Sequence, residues 1–445
     1  MNQRFHRNKA MFEALLPIKQ EIRKSKTRII KLPKRFAFRH HDIHDFDKVL
    51  NIFDWEIYDS PVKIDIRDCS NANYQAISLL VLYAWHLKSN GCTVEILIDH
   101  EAENGASVMW KKLGALGTFP ILFEPNQQFK GDPLKPLFAV RNGNNQQDFK
   151  DVISGIEKYT ECFNINYTKT LRFIISELLY NTLEHGRKYS EKLEIPIPSI
   201  VQMCWYREKD EIHFIIADLG IGIKAHLEQT YPGLGSHEEA IKLAIQPEKS
   251  GTFAYSNPYN EKNNGGMGLY LSSNIIKQLR GDMYLLSGNG MLHISPRDVT
   301  STELKYPWPG TIALLIIRLE GDDGNDFDSI LQRLRAEAES ERRKNQDLEE
   351  QGEFVVHVSA YFGDYAEIKS EAINYRNKYL IPKLEEGRKI ILDFKNVKSA
   401  PHSFLNALLA SPIKRLGMEA YKKIKIVNAD SNIRETIDFI LDDNT

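Results

Sequence analysis

The sequence has no run of about eighteen consecutive apolar residues, the length that a membrane-spanning helix needs. It opens without the apolar stretch of a secretory leader. A soluble, cytoplasmic protein that uses no membrane is therefore expected. The four cysteines, Cys69, Cys92, Cys162 and Cys204, stand far apart, with no C-x-x-C pair and no alternation with histidine. That spacing excludes a zinc finger and points to reduced thiols. A formal net charge of -2 on 445 residues gives no single-sign field to advertise nucleic acid or membrane as the main partner. Nor is there a G-x-x-x-x-G-K-[ST] loop, so any phosphate must be held by some other cradle.

What is present is unevenly distributed. The first forty residues carry twelve Lys or Arg against only Glu13 and Glu21, and residues 1–45 are read as a basic arm. A basic run alone is more often a solvated helix, here one ending near Pro33, than a nucleic-acid site, so nucleic acid is not the expected partner. His40, His41 and His44, interleaved with Asp42, Asp45 and Asp47, match no metal-ligand spacing and read as polar surface.

From Val62 the pattern turns α/β. A short apolar strand, Val62 to Ile66, precedes the apolar segment Ala76 to Leu87, then Gly91 and a second strand from Thr93 to Ile98. A related layout recurs late in the chain: strand Lys389 to Phe394, loop through Ala400, helix Ser403 to Leu416, Gly417, strand Lys423 to Val427. Both first strands carry an aspartate, Asp65 and Asp393, and an alanine follows in each, Ala72 and Ala400, so residues 46–150 and 353–445 are expected to be two small α/β domains related by a weak internal repeat. Between the centre and the last domain, residues 321–352 are dense in charge. Ile330, Leu331 and Leu334 give them one apolar stripe, the pattern of an exposed connecting helix.

Three segments of the centre, residues 151–320, carry chemistry. In the first, Ile174 to Gly186, Glu177, Asn181 and His185 recur every four residues and line one helical face, while Ile174, Ile175, Leu178, Leu179 and Leu183 cover the other. An amide oxygen such as that of Asn181 suits Mg2+, and a carboxylate one turn away can orient or deprotonate an attacking group. The second, Ile212 to Ile223, is a strand that runs into the Asp-x-Gly-x-Gly turn of Asp218, Gly220 and Gly222. Glycines there let the backbone approach a flat ring, and the carboxylate can accept from an exocyclic amine. In the third, Asn263 to Leu271, the cluster Gly265, Gly266, Met267, Gly268 and Leu269 opens a helix whose N-H groups and dipole can hold phosphate. Each alone has a bland counterpart: a solvent-facing stripe, an ordinary glycine turn, a surface loop.

In this order the three segments resemble the N box and the two glycine boxes of the GHKL (Bergerat) superfamily, and Pro309-Gly310-Thr311 is similar to its late Gly-Thr element. The resemblance covers roughly Ile165 to Leu319. It implies a two-layer sandwich of mixed sheet and helices that binds ATP and Mg2+, with Glu177 as general base, Asn181 as metal ligand and Asp218 as adenine partner. Gly220, Gly222, Gly265, Gly266, Met267, Gly268, Leu269 and Thr311 would line the nucleotide, and His185 would lie near it. It also makes 224–264 the lid. A basic residue usually precedes the position of His185; here that residue is Glu184, and Lys249 or Lys262 is the candidate substitute. Both flanks look like STAS-type modules. Ser403 falls near the place where anti-sigma-factor antagonists carry a phosphorylatable serine, although serine is also a good helix N-cap. The N-terminal copy has Gln75 at the matching place.

The fold class expected is thus α/β, an α+β sandwich flanked by two small α/β domains. The function expected is an ATPase acting as a nucleotide-gated switch. The alternatives are an anti-sigma-like serine protein kinase and a module that holds ATP without turnover to recruit a partner. A protein partner would dock through the STAS-like flanks, and a homodimer is an expectation from family analogy.

Overall fold

The computed structural model describes residues 26–40, 43–124, 127–141, 146–160, 165–186, 188–190, 192–231, 233–247, 249, 267–319, 329–338 and 352–444. The main strands in chain order are β1 (Arg28–Lys31), β2 (Pro61–Asp65), β3 (Thr93–Leu97), β4 (Leu137–Val140), β5 (Ser199–Tyr206), β6 (Glu211–Ala217), β7 (Asp282–Ile294), β8 (Val299–Arg318), β9 (Glu353–His357), β10 (Lys389–Asp393) and β11 (Ile424–Val427). The helices that matter here are α1 (Tyr74–Ser89), α2 (Ile165–His185), α3 (His237–Ala244), α4 (Gly268–Gln278), α5 (Val358–Phe362), α6 (Lys369–Tyr375), α7 (His402–Leu416) and α8 (Ser431–Asn444). The chain is mixed α/β and divides into two compact units. The first comprises Met1–Cys162, Leu178–Gly222 and Leu304–Leu319, the second Phe163–Glu177, Ile223–Glu303 and Glu320–Thr445, so that α2 and β8 run through both.

In the first unit β1, β2 and β3 form a parallel sheet in that order, with Ile30 opposite Ile64 and Ile64 opposite Ile96. A parallel pair needs a crossover, and α1 supplies the one between β2 and β3. Asn73 caps α1, its side chain accepting from Ala76 N, and Gly91 follows the helix at φ +83°. Every residue of α1 but Lys88 is buried. A helix apolar on all sides needs partners on all sides, and α1 packs on β3 and also on β5 and β6. The polar groups this buries are paired: Gln75 Nε2 donates to Gln202 Oε1 at 2.9 Å and Tyr206 Oη to Gln75 Oε1 at 3.0 Å.

Strands β8, β6, β5 and β4 are neighbours in that order in an antiparallel arrangement, with Ala217 opposite both Ile200 and Ile312. The sequence reading gave residues 46–150 to the N-terminal domain, yet β4, inside that span, pairs with β5. Its short apolar run carries no mark of which sheet it serves.

The second unit contains β7 with α3 and α4 packed on it. It also contains the C-terminal module, a parallel sheet in the order β9-β10-β11 with Val355 opposite Ile391 and Ile391 opposite Lys425. Val356, Leu392, Phe404, Leu408 and Ile437 belong to its core. Residues 329–338 are helical, with Leu334 and Ala338 buried and Ile330 and Leu331 half-buried.

The two modules repeat each other more closely than the sequence indicated. Asp65 and Asp393 both end the middle strand and both cap the turn beyond it, Asp65 Oδ1 accepting from Arg67 N at 3.2 Å and Asp393 Oδ1 from Lys395 N at 2.9 Å. A short parallel pairing follows in each, Arg35 with Asn71 in one and Tyr365 with Ser399 in the other.

The expected helix ending near Pro33 is not what the end of the arm forms, because Arg28–Lys31 is strand β1. Isoleucines at 29 and 30 favour strand. Residues 1–25 lie outside the described part. Arg39–His40 pairs with Ile43–His44, His41 lies outside, and among the described residues no group of three or more His, Cys, Asp or Glu could hold a metal. No described helix is long and apolar enough to cross a membrane.

Where α1 ends, His86 is 4% exposed, with Lys188 Nζ 3.0 Å from Nδ1 and the Trp55 carbonyl 3.3 Å from Nε2. Burial, then the Lys188 charge, lowers its pKa from 6.5 to about 4. The unfolded chain takes up this proton near 6.5 and the folded chain only near 4, so stability is present above 6.5 and is lost as pH falls through that window. Urea titrations at pH 7 and pH 4.5 should show a loss of about 2 kcal/mol from this group, and His86→Gln should flatten the profile.

Candidate functional site

The buried strand β6 ends at Ala217, and Asp218, which follows it, is only 5% exposed. A carboxylate that deep must be hydrogen-bonded, and the chain brackets it. Oδ1 accepts from Gly220 N at 2.8 Å and from Thr311 N at 3.2 Å. The backbone of Asp218 is held as well, N donating to the Thr311 carbonyl at 3.0 Å and the carbonyl accepting from Trp308 Nε1 at 2.7 Å. Thr311 therefore meets Asp218 through its main chain.

Two glycines stand against the same carboxylate. A Cβ at Gly310 would collide with the Asp218 carbonyl and Oδ1, and one at Gly186 would sit 2.9 Å from Asp218 Cβ and 3.0 Å from its Cγ. Gly186 ends the turn after α2, its N-H donating to the Thr182 carbonyl at 2.8 Å. The result is a buried carboxylate fenced by bare backbone. Gly222, with φ +76°, occupies a left-handed conformation that favours glycine and opens the short helix Gly222–Leu227.

Trp308 joins this corner to the N-terminal module, and sequence reasoning missed it. Its ring stands edge-on to Trp55 at 5.0 Å and to Phe53 at 5.7 Å. Trp55 Nε1 donates to the Pro307 carbonyl at 3.1 Å, and Asp47 Oδ1 accepts from the backbone of Lys305 and Tyr306. The available signal was the tryptophan itself beside Pro307 and Pro309, since a buried indole needs an acceptor for its N-H.

Asn181 is half-buried on α2, one turn from Gly186, and Glu177 is half-buried one turn earlier. In the second unit Glu177 lies against the first turn of α4, where a Cβ added at Gly268 would run into its carboxylate. A carboxylate beside a helix N-terminus is electrostatically favourable. Met267 occupies the N-cap of α4 and its carbonyl accepts from Leu271 N at 2.9 Å, while Leu269 is half-buried in the first turn. Gly265, Gly266 and Lys262 lie outside the described residues, as do the side chains of Glu184 and His185. Lys249 is described, with Nζ 5.2 Å from the centroid of the Tyr231 ring.

Of the flanking candidates, Ser403 is not an N-cap. Pro401 occupies the cap of α7, with ψ 157°, and Ser403 is an exposed residue in the first turn. Proline fixes the φ that this position needs, which lets it displace serine. Gln75 is committed to the buried pair with Gln202.

Residues 372–434 match the family model described as the STAS-like domain of unknown function (DUF4325). The match starts within α6 and ends within α8, so it covers β10, α7 and β11. No curated protein and no solved structure matches the chain.

The fence around Asp218 is testable without a ligand. Gly310→Ala meets backbone that cannot move aside and should lower stability by about 1–3 kcal/mol. In contrast, Gly117→Ala, whose Cβ would meet only Ile121 Cδ1 at 3.5 Å, should leave the thermal midpoint nearly unchanged.

Proposed function

We propose that the region from about Ile165 to Leu319 binds ATP in the GHKL manner and that the protein is an ATPase acting as a nucleotide-gated switch. The observation that carries this reading is the buried Asp218 carboxylate, held by two backbone N-H groups and fenced by Gly186 and Gly310. A carboxylate so fixed cannot turn away from an incoming adenine amine, and the fixed geometry selects a donor at that edge. The donor set also fits a hard cation of the kind that keeps most of its ligands from water and phosphate, since Asn181 offers one amide oxygen on the same helix as Glu177. Mg2+, when bound, supplies charge neutralisation at the phosphates. Glu177 orients and deprotonates the attacking water, and the backbone of Gly266, Met267 and Gly268 takes the phosphate end, as the resemblance implies. The STAS-like modules are the surface for a protein partner, and pairing of two copies is part of the same proposal.

A second reading is favoured by one observation. Ser403 is exposed in the first turn of α7, inside the stretch that matches the STAS-like domain, a position open to a serine kinase activity of the same site.

The test uses γ-labelled ATP with Mg2+ and follows both free phosphate and label on the chain. Asp218→Asn should weaken ATP binding at least tenfold, roughly the loss of one charge-assisted hydrogen bond. Glu177→Ala should retain binding and lower turnover by about 10²- to 10⁴-fold. Label that stays on the chain and disappears in Ser403→Ala would replace the switch with the kinase. Binding without turnover in the unaltered protein would replace it with a module that only holds ATP. If Asp218→Asn binds as well as the parent, the nucleotide reading is wrong.

A further inference from the structure

We propose that the C-terminal STAS-like module is an inbuilt regulator of the nucleotide site, clamping the two helices α3 and α4 through charged contacts that can be made and released. The inference rests on the nucleotide reading above and adds the identity of its regulator, a part of the same chain.

Helix α3 has only eight residues, too few to hold itself, and takes its position from its neighbours. On one side Ala240, Ile241 and Leu243 are buried and the helix packs on β7, with the His237 ring against Gly288 and the His237–Glu238 backbone against Gly290, where a side chain would collide with them. On another side stands the C-terminal module. Helix α5 packs on α3, and Gln246 Nε2 just beyond α3 donates to the Ala360 carbonyl at 3.2 Å. Lys242 is 5% exposed, and its Nζ lies 3.5 Å from Glu371 Oε2 on α6. An ammonium that deep is tolerated only with a counter-charge, so the seat of α3 depends on the module being in place.

A second contact reaches α4. The Asp364 carboxylate, between α5 and α6, lies 3.5 Å from Lys398 Nζ, and Lys398 also donates to the Arg297 carbonyl in the turn that joins β7 to β8. Lys277 in the last turn of α4 and Asp298 in that same turn act on this carboxylate as well. Burial pushes Asp364 up and Lys277 down, as expected of groups withdrawn from water at a packed boundary. The eleven residues of α4 span about 16 Å, so one rigid rod carries Lys277 at the module end and Gly268 against Glu177 at the other.

The chemistry of the boundary differs from that of the module's own core. Val356, Leu392, Phe404 and Leu408 make that core apolar, whereas the boundary uses Lys242, Glu371, Lys277, Asp364, Lys398 and Asp298. Polar interfaces between parts of one chain are the ones that separate. Docked, the module holds α3, within the segment read as the lid, and α4, whose first turn is read as the phosphate end, in place. Released, it leaves the nucleotide to order them, which weakens binding.

The experiment uses the full chain carrying Glu371→Lys, Lys242→Glu or both, with hydrogen exchange read at α3 without nucleotide and ATP affinity read with Mg-ATP. Glu371→Lys is expected to speed exchange in α3 and to weaken ATP binding about 5- to 10-fold, a usual size for coupling between sites. The double variant, which restores opposite charges, is expected to return both readouts to within about twofold of the parent. Exchange in β9 to β11 reports whether the module itself still folds, and Glu371→Gln with Gln246→Ala gives the milder lesion if it does not. Faster exchange in α3 with unchanged ATP affinity would overturn the proposal, as would a weakened affinity that the charge swap fails to restore. An affinity lost in Asp218→Asn but unmoved by Glu371→Lys fells the clamp alone, whereas a parent protein that binds no ATP fells the nucleotide reading and the clamp with it.

Discussion

A carboxylate 5% exposed at the end of a fully buried strand is the constraint around which the first unit is arranged. Left without donors, the Asp218 side chain would cost several kcal/mol, so the surrounding backbone has to present N-H groups to it. Gly220 does so from the turn beyond β6 and Thr311 from β8, which fixes the register of β8 against β6 at the point where Ala217 faces Ile312. The approach is close enough that positions 186 and 310 must be glycine. Trp308 closes the bracket from the other side and brings Trp55 and Phe53 with it, so the N-terminal module is tied to the strand that holds the site.

Much of this was legible in the sequence where local chemistry decided it. The helix from Ile174 to Gly186, the strand ending at Asp218 and the helix following Met267 each carry a period and a boundary signal of their own. The recurrence of a parallel β-α-β module at both ends was also readable, because Gly91 and Gly417 mark helix ends and Asp65 and Asp393 mark strand ends. Two features were not. Strand β4 is a short apolar run whose pairing with β5 depends on contacts far away in sequence. Strand β1 sits inside a basic arm, and charge density masked the two isoleucines that commit it to the sheet. Register and partner are long-range properties, and period alone is silent about them.

The candidate site divides along the same line. Asp218, Gly220 and Thr311 were found from their order in the chain, and the structure brings them together. Trp308 meets the main-chain carbonyl of Asp218 and Gly186 stands against its side chain; Gly186 closes the first spaced segment, whereas Trp308 belongs to no spaced pattern. Ser403 shows the reverse case. Serine is a favoured cap, yet Pro401 holds the cap because a proline two residues earlier already has the backbone angle required. That leaves the hydroxyl of Ser403 at the surface of α7, where its chemistry is not committed to holding the helix end.

The two modules meet their neighbours through different chemistry. The N-terminal module buries α1 on every side, and the amide network of Gln75 with Gln202 and Tyr206 is closed and paired. Separating it would expose a whole apolar helix, which makes the contact permanent. At the boundary of the C-terminal module with α3 and α4 the burial falls instead on charges, Lys242 with Glu371 and Asp364 with Lys398. Ion pairs of this kind repay most of their desolvation when docked and recover hydration when apart, so the free-energy difference between the two states stays small. A small difference is what a bound nucleotide can reverse, since a ligand shifts an equilibrium only by its differential affinity for the two states. On the clamp proposed above, one copy of the repeat serves as scaffold and the other as the movable part.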